Sequence, residues 1–118
     1  MMILVAGPYR SGTGDDPRKM AANLDAIRQA GLELFRAGHL PVNGEDLAIP
    51  LVALAGSAKV GDAVFDEIFH PIGRRLVVRC GAVLRLPGAS TGADEMVSLA
   101  EAAGLPVYRD VSEVPLAA

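Results

Sequence analysis

Met2 to Ala6 is an uninterrupted apolar run closed by Gly7-Pro8. A short run of this kind, ended by a turn signal, is the pattern of a strand buried on both faces, as parallel sheets require. It predicts a first, central strand. The period then changes. Met20, Leu24, Ile27, Gly31, Leu34 and Phe35 recur at helical spacing after a cap candidate at Asp16, with Pro17 in the first helical position and Gly38 where a C-terminal cap belongs. His39 to Val42 predicts a short second strand, confined by its proline to an edge or a strand end. From Asn43 to Ala63 the residues are apolar but interrupted by Pro50, Gly56 and Gly61, which predicts a short helix inside a mobile lid.

Phe65, Ile68, Phe69, Ile72 and Leu76 restore the helical period, with Pro71 expected to kink the helix or restart it after His70. Arg74, Arg75 and Arg79 lie off that stripe and read as a solvated basic face. Ala82 to Leu86 predicts a third strand. Gly92 to Ala103 predicts a helix with Ala93, Met96, Leu99, Ala100 and Ala103 buried and Gly104 as its stop. Pro106 to Arg109 predicts a fourth strand, and the tail after Asp110 is expected on the surface. Strand and helix alternate throughout, which implies right-handed crossovers and a parallel sheet covered on both faces. The expected fold is therefore a three-layer α/β/α domain over residues 1–118, with four to five strands in an order of about 2-1-3-4. That order puts a topological switch point between the first and third strands. Two glycine-rich loops, Gly7 to Gly14 and Pro87 to Glu95, then face each other across one pocket.

The second loop joins an apolar strand to a helix whose first turn carries two carboxylates, Asp94 and Glu95. A helix start offers unpaired N–H groups and the positive end of its dipole to an anion, and the small residues Gly88, Ala89, Ser90, Gly92 and Ala93 let a ligand approach the backbone. The plain structural alternative is that Ser90 or Thr91 caps the helix and the acids complement its dipole. In the first loop, Gly7-Pro8-Tyr9-Arg10-Ser11-Gly12-Thr13-Gly14 fits neither the dinucleotide nor the P-loop spacing. Ser11, Gly12 and Thr13 nevertheless precede a helix, Arg10 offers a fork for a phosphate or carboxylate, and Tyr9 offers a ring and a hydroxyl that serve equally as a ligand contact or as a lid over the core. His39 and His70 belong to no nucleophile motif or metal spacing. Carboxylates are the better candidates for chemistry: Asp94, Glu95, Glu45 and Asp62 fall on the pocket loops or the lid, and a carboxylate can attack an anomeric carbon or act as acid and base at a glycosidic bond.

Composition narrows the partners. The 118 residues are 51% hydrophobic and 21% charged, enough for a core without disulfides or a structural metal and apolar enough to imply a homo-oligomer. A net charge of −3 and a pI near 5.2 argue against nucleic acid or an anionic membrane as partner. The lone cysteine, Cys80, reads as a small core residue, excludes an internal disulfide and fits a reducing compartment, by default the cytoplasm. No run approaches the length of a membrane span, and neither a metal site nor a cofactor motif is evident.

Several segments together resemble the nucleoside 2-deoxyribosyltransferase-like superfamily, in particular an uncharacterised bacterial branch of it, over nearly the full length. They are Ile3-Leu4-Val5-Ala6-Gly7-Pro8-Tyr9, Gly38-His39-Leu40-Pro41-Val42, Phe69-His70-Pro71-Ile72, the strand to Leu86, Ser90-x-Gly92, and Gly104-Leu105-Pro106-Val107. The resemblance implies a flavodoxin-like fold, a homodimer or larger assembly, and cleavage or exchange of the N-glycosidic bond of nucleosides or their 5′-monophosphates. It implies a tyrosine of the first loop, here Tyr9, that orients a glutamate nucleophile, and a serine, here Ser90, that contacts a 5′-phosphate. Gly7, Pro8, Arg10, Ser11, Gly12, Glu45 and Gly92 complete the expected substrate-binding set, and Glu95, Asp94 and Tyr9 the expected catalytic set. The family pattern places its nucleophile four residues after the turn glycine, where this chain has Met96, and an aspartate where this chain has Gly81. A nucleotide-binding module without catalysis and a structural subunit whose apolar lid is an interface are the alternatives.

Overall fold

In the computed structural model, which describes residues 1–117, the opening apolar run is β1 (Met2–Ala6), with Ile3 to Ala6 buried. Its neighbours are β2 (Leu40–Val42) on one side and β3 (Ala82–Arg85) on the other, and β3 in turn pairs with β4 (Val107–Tyr108). All three pairings are parallel, with Leu4 opposite both Val42 and Val83 and Leu84 opposite Tyr108. The result is a four-stranded sheet in the order β2-β1-β3-β4 within a three-layer α/β fold, the expected order, with a strand count at the lower end of the expected range.

Strand alternation divides the core in two. Ile3, Val5, Ala82 and Leu84 face α1 (Pro17–Arg36), where Ile27, Ala30 and Leu34 close the layer. Leu4, Ala6 and Val83 face the opposite way, onto Val77 of α3 (Ala63–Val77) and Ala93, Val97 and Ala100 of α4 (Thr91–Ala102). The chain runs from β1 outward to β2, then back across β1 to β3 and on to β4, so right-handed crossovers put α1 on one face and α3 and α4 on the other.

Several local expectations are revised. Strand β2 is shorter than expected, and because the Leu40 N–H bonds to the Met1 carbonyl of the neighbouring strand, Pro41 presents its missing donor to the open edge, where it blunts further pairing. The helix expected between Asn43 and Ala63 is α2 (Gly44–Leu54), whose eleven residues run on through Pro50. Asn43 caps it by accepting from the Asp46 N–H, and Gly44 lies so close to Gly73 of α3 that backbone meets backbone. The loop after it is gathered by Asp62, which accepts from Ser57 Oγ and from the Ala58, Lys59 and Phe65 N–H groups and thereby caps α3. These bonds stabilise the ionised form and hold the Asp62 carboxyl down at about 2. Helix α3 likewise continues through Pro71 without restarting.

Two buried stripes rotate relative to expectation. Phe35 is 64% exposed, because it stands one helical step, about 100°, from fully buried Leu34. On α4 Val97 is buried, whereas Ala103 is its exposed cap residue. Strand β4 is only two residues long. The tail runs over the surface as expected except at Val114, which joins the α1-side core after Asp110 and Glu113 form a capping box around a 3₁₀ turn at Val111–Glu113. Buried His39 explains the docking, since its Nε2 bonds the Pro115 carbonyl at 2.7 Å, and the Ala117 N–H bonds the Ala37 carbonyl at 3.0 Å. Among the described residues no helix is long and apolar enough to cross a membrane.

Candidate functional site

At the carboxyl ends of β1 and β3, where the direction of winding reverses, lies a cleft of about 400 Å³. Five pieces of chain build it: the end of β1 with Gly7, the loop carrying Tyr9, Arg10, Ser11 and Asp15, the start of α2 at Gly44 and Glu45, one face of α3, and the first turns of α4. The two loops meet directly. Gly88 has φ +111° and lies against Pro8, whose Cγ would be 2.8 Å from any Cβ added there, so this contact requires glycine.

Tyr9 is the end of an aromatic ladder. Its ring stacks on Phe69 at 5.6 Å between centroids, and Phe69 stacks on Phe65 at 4.6 Å. The i, i+4 spacing of Phe65 and Phe69 sets both on one face of α3, and His70 meets Phe69 edge to face at 5.5 Å from the cleft side. The cleft thus has an aromatic wall. Burial, and secondarily the nearby Glu45 charge, raise the Tyr9 hydroxyl above its usual pKa, keeping it a neutral donor.

Glu45 is the cleft's partly buried carboxyl group. Burial pushes it up to about 7, against the opposing effect of a bond from its own backbone N–H, so near neutral pH it is present in both protonation states. The other carboxyl that lines the cleft, Asp15, is different. Arg10 grips it through Nε at 2.6 Å and Nη2 at 3.0 Å, which holds Asp15 below the usual carboxylate range. Asp15 also stands at φ +62°, the left-handed region that few non-glycine residues adopt, in a turn where buried Thr13 accepts from its N–H. Arg10 reaches across to the next loop as well, lying over Gly61 where a Cβ would come within 2.7 Å of its guanidinium.

On the opposite side Ser90 caps α4, its Oγ accepting from the Ala93 N–H at 3.1 Å. Thr91 and Gly92 are the first two helical residues, with no carbonyl four residues back inside the helix, and both line the cleft. An anion placed there would meet free donors and the positive end of the dipole.

Of the residues singled out in the sequence, the cleft brings together Gly7, Tyr9, Arg10, Ser11, Glu45, Ser90 and Gly92. Pro8 packs on Gly88 outside the lining, and Gly12 sits at φ +72° in the exposed turn. Asp94 and Glu95 do not line the cleft. Asp94 bonds Arg85 at 2.8 Å, and Glu95 bonds Arg74 of α3 at 2.6 Å on the surface. Met96, one turn beyond Gly92 and on the same face, points into the cleft instead and covers Gly73 at 3.3 Å from the Cβ position. Sequence reading passed over Phe69, His70, Gly73 and Asp15 as cleft residues; the only signal for them was the helical spacing of Phe65 and Phe69 and the Phe69-His70-Pro71 run. Among the described residues no cluster of three or more histidine, cysteine or acidic side chains could hold a metal ion. No protein-family model, curated protein or solved structure matches the chain.

Proposed function

We propose that this chain binds a nucleoside or nucleoside 5′-monophosphate in the switch-point cleft and acts on its N-glycosidic bond through Glu45. The observation that carries the reading is the Glu45 carboxyl, placed on the cleft wall near Tyr9 and held at about 7, where a group can both give and take a proton. The resemblance to the nucleoside 2-deoxyribosyltransferase-like superfamily supplies the class of bond. The rest of the cleft is consistent with such a ligand: an aromatic wall suits a planar base, and Arg10 with the start of α4 suits a phosphate.

In this reading protonated Glu45 donates its proton to the base as the C1′–N bond breaks, and the bonding pair leaves with the base. Water adds to the anomeric carbon and returns a proton to the Glu45 carboxylate, so one water is consumed and the acid is restored. Neither Asp94 nor Glu95 is needed, since each is occupied by an arginine outside the cleft. The exposed stripe Leu47, Leu51 and Leu54 on α2 would serve the expected homo-oligomer.

One observation favours a second reading, nucleotide binding without catalysis: a thioether, Met96, stands where the family pattern has its nucleophile. Chromatography of 2′-deoxynucleosides and their 5′-monophosphates incubated with the parent, Glu45→Gln and Glu95→Gln proteins separates the two. The glycosidase reading predicts free base from the parent and from Glu95→Gln, with the rate at least about a hundredfold lower in Glu45→Gln. Base release by none of them, with ligand-dependent thermal stabilisation of the parent, would leave binding alone.

A further inference from the structure

Arg85 is the only buried arginine among the described residues, and the cleft makes no direct use of it. It ends β3 on the sheet face of Val83, under the beginning of α4. A buried guanidinium is costly unless its donors are bonded. Here Nη1 donates to the Leu86 carbonyl, and Nη2 donates to the Gly88 carbonyl at 3.0 Å and to Asp94 Oδ1 at 2.8 Å, while Nε is buried without a partner. These acceptors are not scattered. Two are carbonyls of the turn between β3 and α4, and the third is on the first turn of α4 itself. The side chain is 6% exposed at the arginine end and 68% at the aspartate end, so the pair runs from the core to the surface beneath the turn.

We propose that Arg85 is the positioning residue of the cleft: with Asp94 as its counter-ion it fixes the turn from Leu86 to Ser90 and sets where Ser90 and Gly92 stand. Asp94 is then a structural partner of the wall that binds ligand. The alternative source of order, ordinary helix capping by Ser90, fixes the helix start but not its place over the strand end. The Gly88 carbonyl bond does that, because Gly88 is also the point where the second loop rests on Pro8. The kinetic part of this inference rests on the glycosidic reading above; the geometric part does not. Glu45 belongs to α2, on another wall, so loss of the clamp should disturb ligand binding and spare the proton transfer.

The test uses the full chain with Arg85→Met, which keeps the length of the stem and leaves no buried charge, Arg85→Lys, which keeps the charge without the fork, and Asp94→Asn on the surface. The first readout is amide hydrogen exchange, which needs no ligand. The Ala93 and Asp94 N–H groups, bonded to Ser90 Oγ and to the Ser90 carbonyl, should exchange at least about tenfold faster in Arg85→Met, which removes the three charge-assisted bonds of the guanidinium. The Leu4 and Val83 amides should keep the parent's protection. Asp94→Asn should show a smaller increase at the same two amides, and it decides the matter if Arg85→Met does not fold. Unchanged exchange at Ala93 and Asp94 in the variant that decides would overturn the proposal.

The second readout is steady-state base release from a 2′-deoxynucleoside 5′-monophosphate. Arg85→Met should raise KM about tenfold with kcat within about twofold of the parent, and Arg85→Lys should fall between. A fall in kcat at unchanged KM, the result of a smaller folded fraction, would contradict a positioning role. A parent that releases no base removes the glycosidic reading, and the exchange result then decides the role of Arg85 by itself.

Discussion

Replacing Glu45 by glutamine should stabilise the protein at pH 8 and change it little at pH 5. The carboxyl is displaced from 4.5 to about 7 by burial, so the folded chain holds a proton that the unfolded chain releases between those values. Folded protein binds the proton more tightly, and stability therefore falls as pH rises from about 4.5 to about 7 and levels off above it. At about 1.4 kcal/mol per pH unit, a displacement of about 2.5 units costs about 3 kcal/mol at pH 8, and partial solvation of the side chain makes that a ceiling. At pH 5 the same relation gives less than about 1 kcal/mol. Glutamine mimics the neutral acid and carries no such cost. Urea denaturation followed by circular dichroism at both pH values, on parent and Glu45→Gln, measures the difference with other titrations cancelled. An equal stability change at pH 5 and pH 8, or a loss of stability at pH 8, would refute the burial of Glu45 as the source of its displaced pKa.

Gly92→Ala should separate stability from binding, because a Cβ there meets nothing within 4 Å and projects into the cleft. Thermal unfolding should rise by the equivalent of about 0.5–1 kcal/mol while stabilisation by a nucleoside 5′-monophosphate is lost; full retention of binding would show that ligand does not approach the start of α4. His39→Ala should cost about 1–3 kcal/mol and raise proteolysis near Pro115, since it removes the 2.7 Å bond to that carbonyl from a buried site, and unchanged cleavage would dissociate the tail from His39. Leu34→Ala, at a fully buried position facing β1 and β3, should cost about 2–5 kcal/mol in urea denaturation, whereas Phe35→Ala on the exposed side of the same helix should cost far less; equal losses would mean that the stripe is misassigned.

Much of the architecture was legible because it follows from periodicity alone. The run Met2 to Ala6 has the pattern of a strand buried on both faces, as in a parallel sheet, and the alternation of elements then left few strand orders, which brought the two glycine-rich loops together. What escaped depends on contacts distant in sequence. Pro50 and Pro71 read as breaks, yet each lies within a helix, and the two helices pack on each other, α2 meeting α3 where Gly44 lies against Gly73. Val114 has no periodic partners in the tail, and its burial depends on His39, some seventy residues earlier, receiving the chain at Pro115. Asp94 and Glu95 were adjacent to the right turn, but helical rotation and two arginines decided where they point. Arg85 was hidden inside an apolar strand pattern, where a single charge reads as an interruption rather than as an anchor.

The most direct measurement is a crystal structure of the Glu45→Gln protein with a 2′-deoxynucleoside 5′-monophosphate, since the variant should hold an uncleaved ligand. The base should lie against Tyr9 and Phe69, the phosphate between Arg10 and the N–H groups of Thr91 and Gly92, and a free ring nitrogen or carbonyl oxygen of the base within hydrogen-bond reach of the residue 45 carboxamide, about 3 Å. A ligand whose anomeric carbon lies beside Glu95 or Asp94, with residue 45 turned away, would contradict this placement.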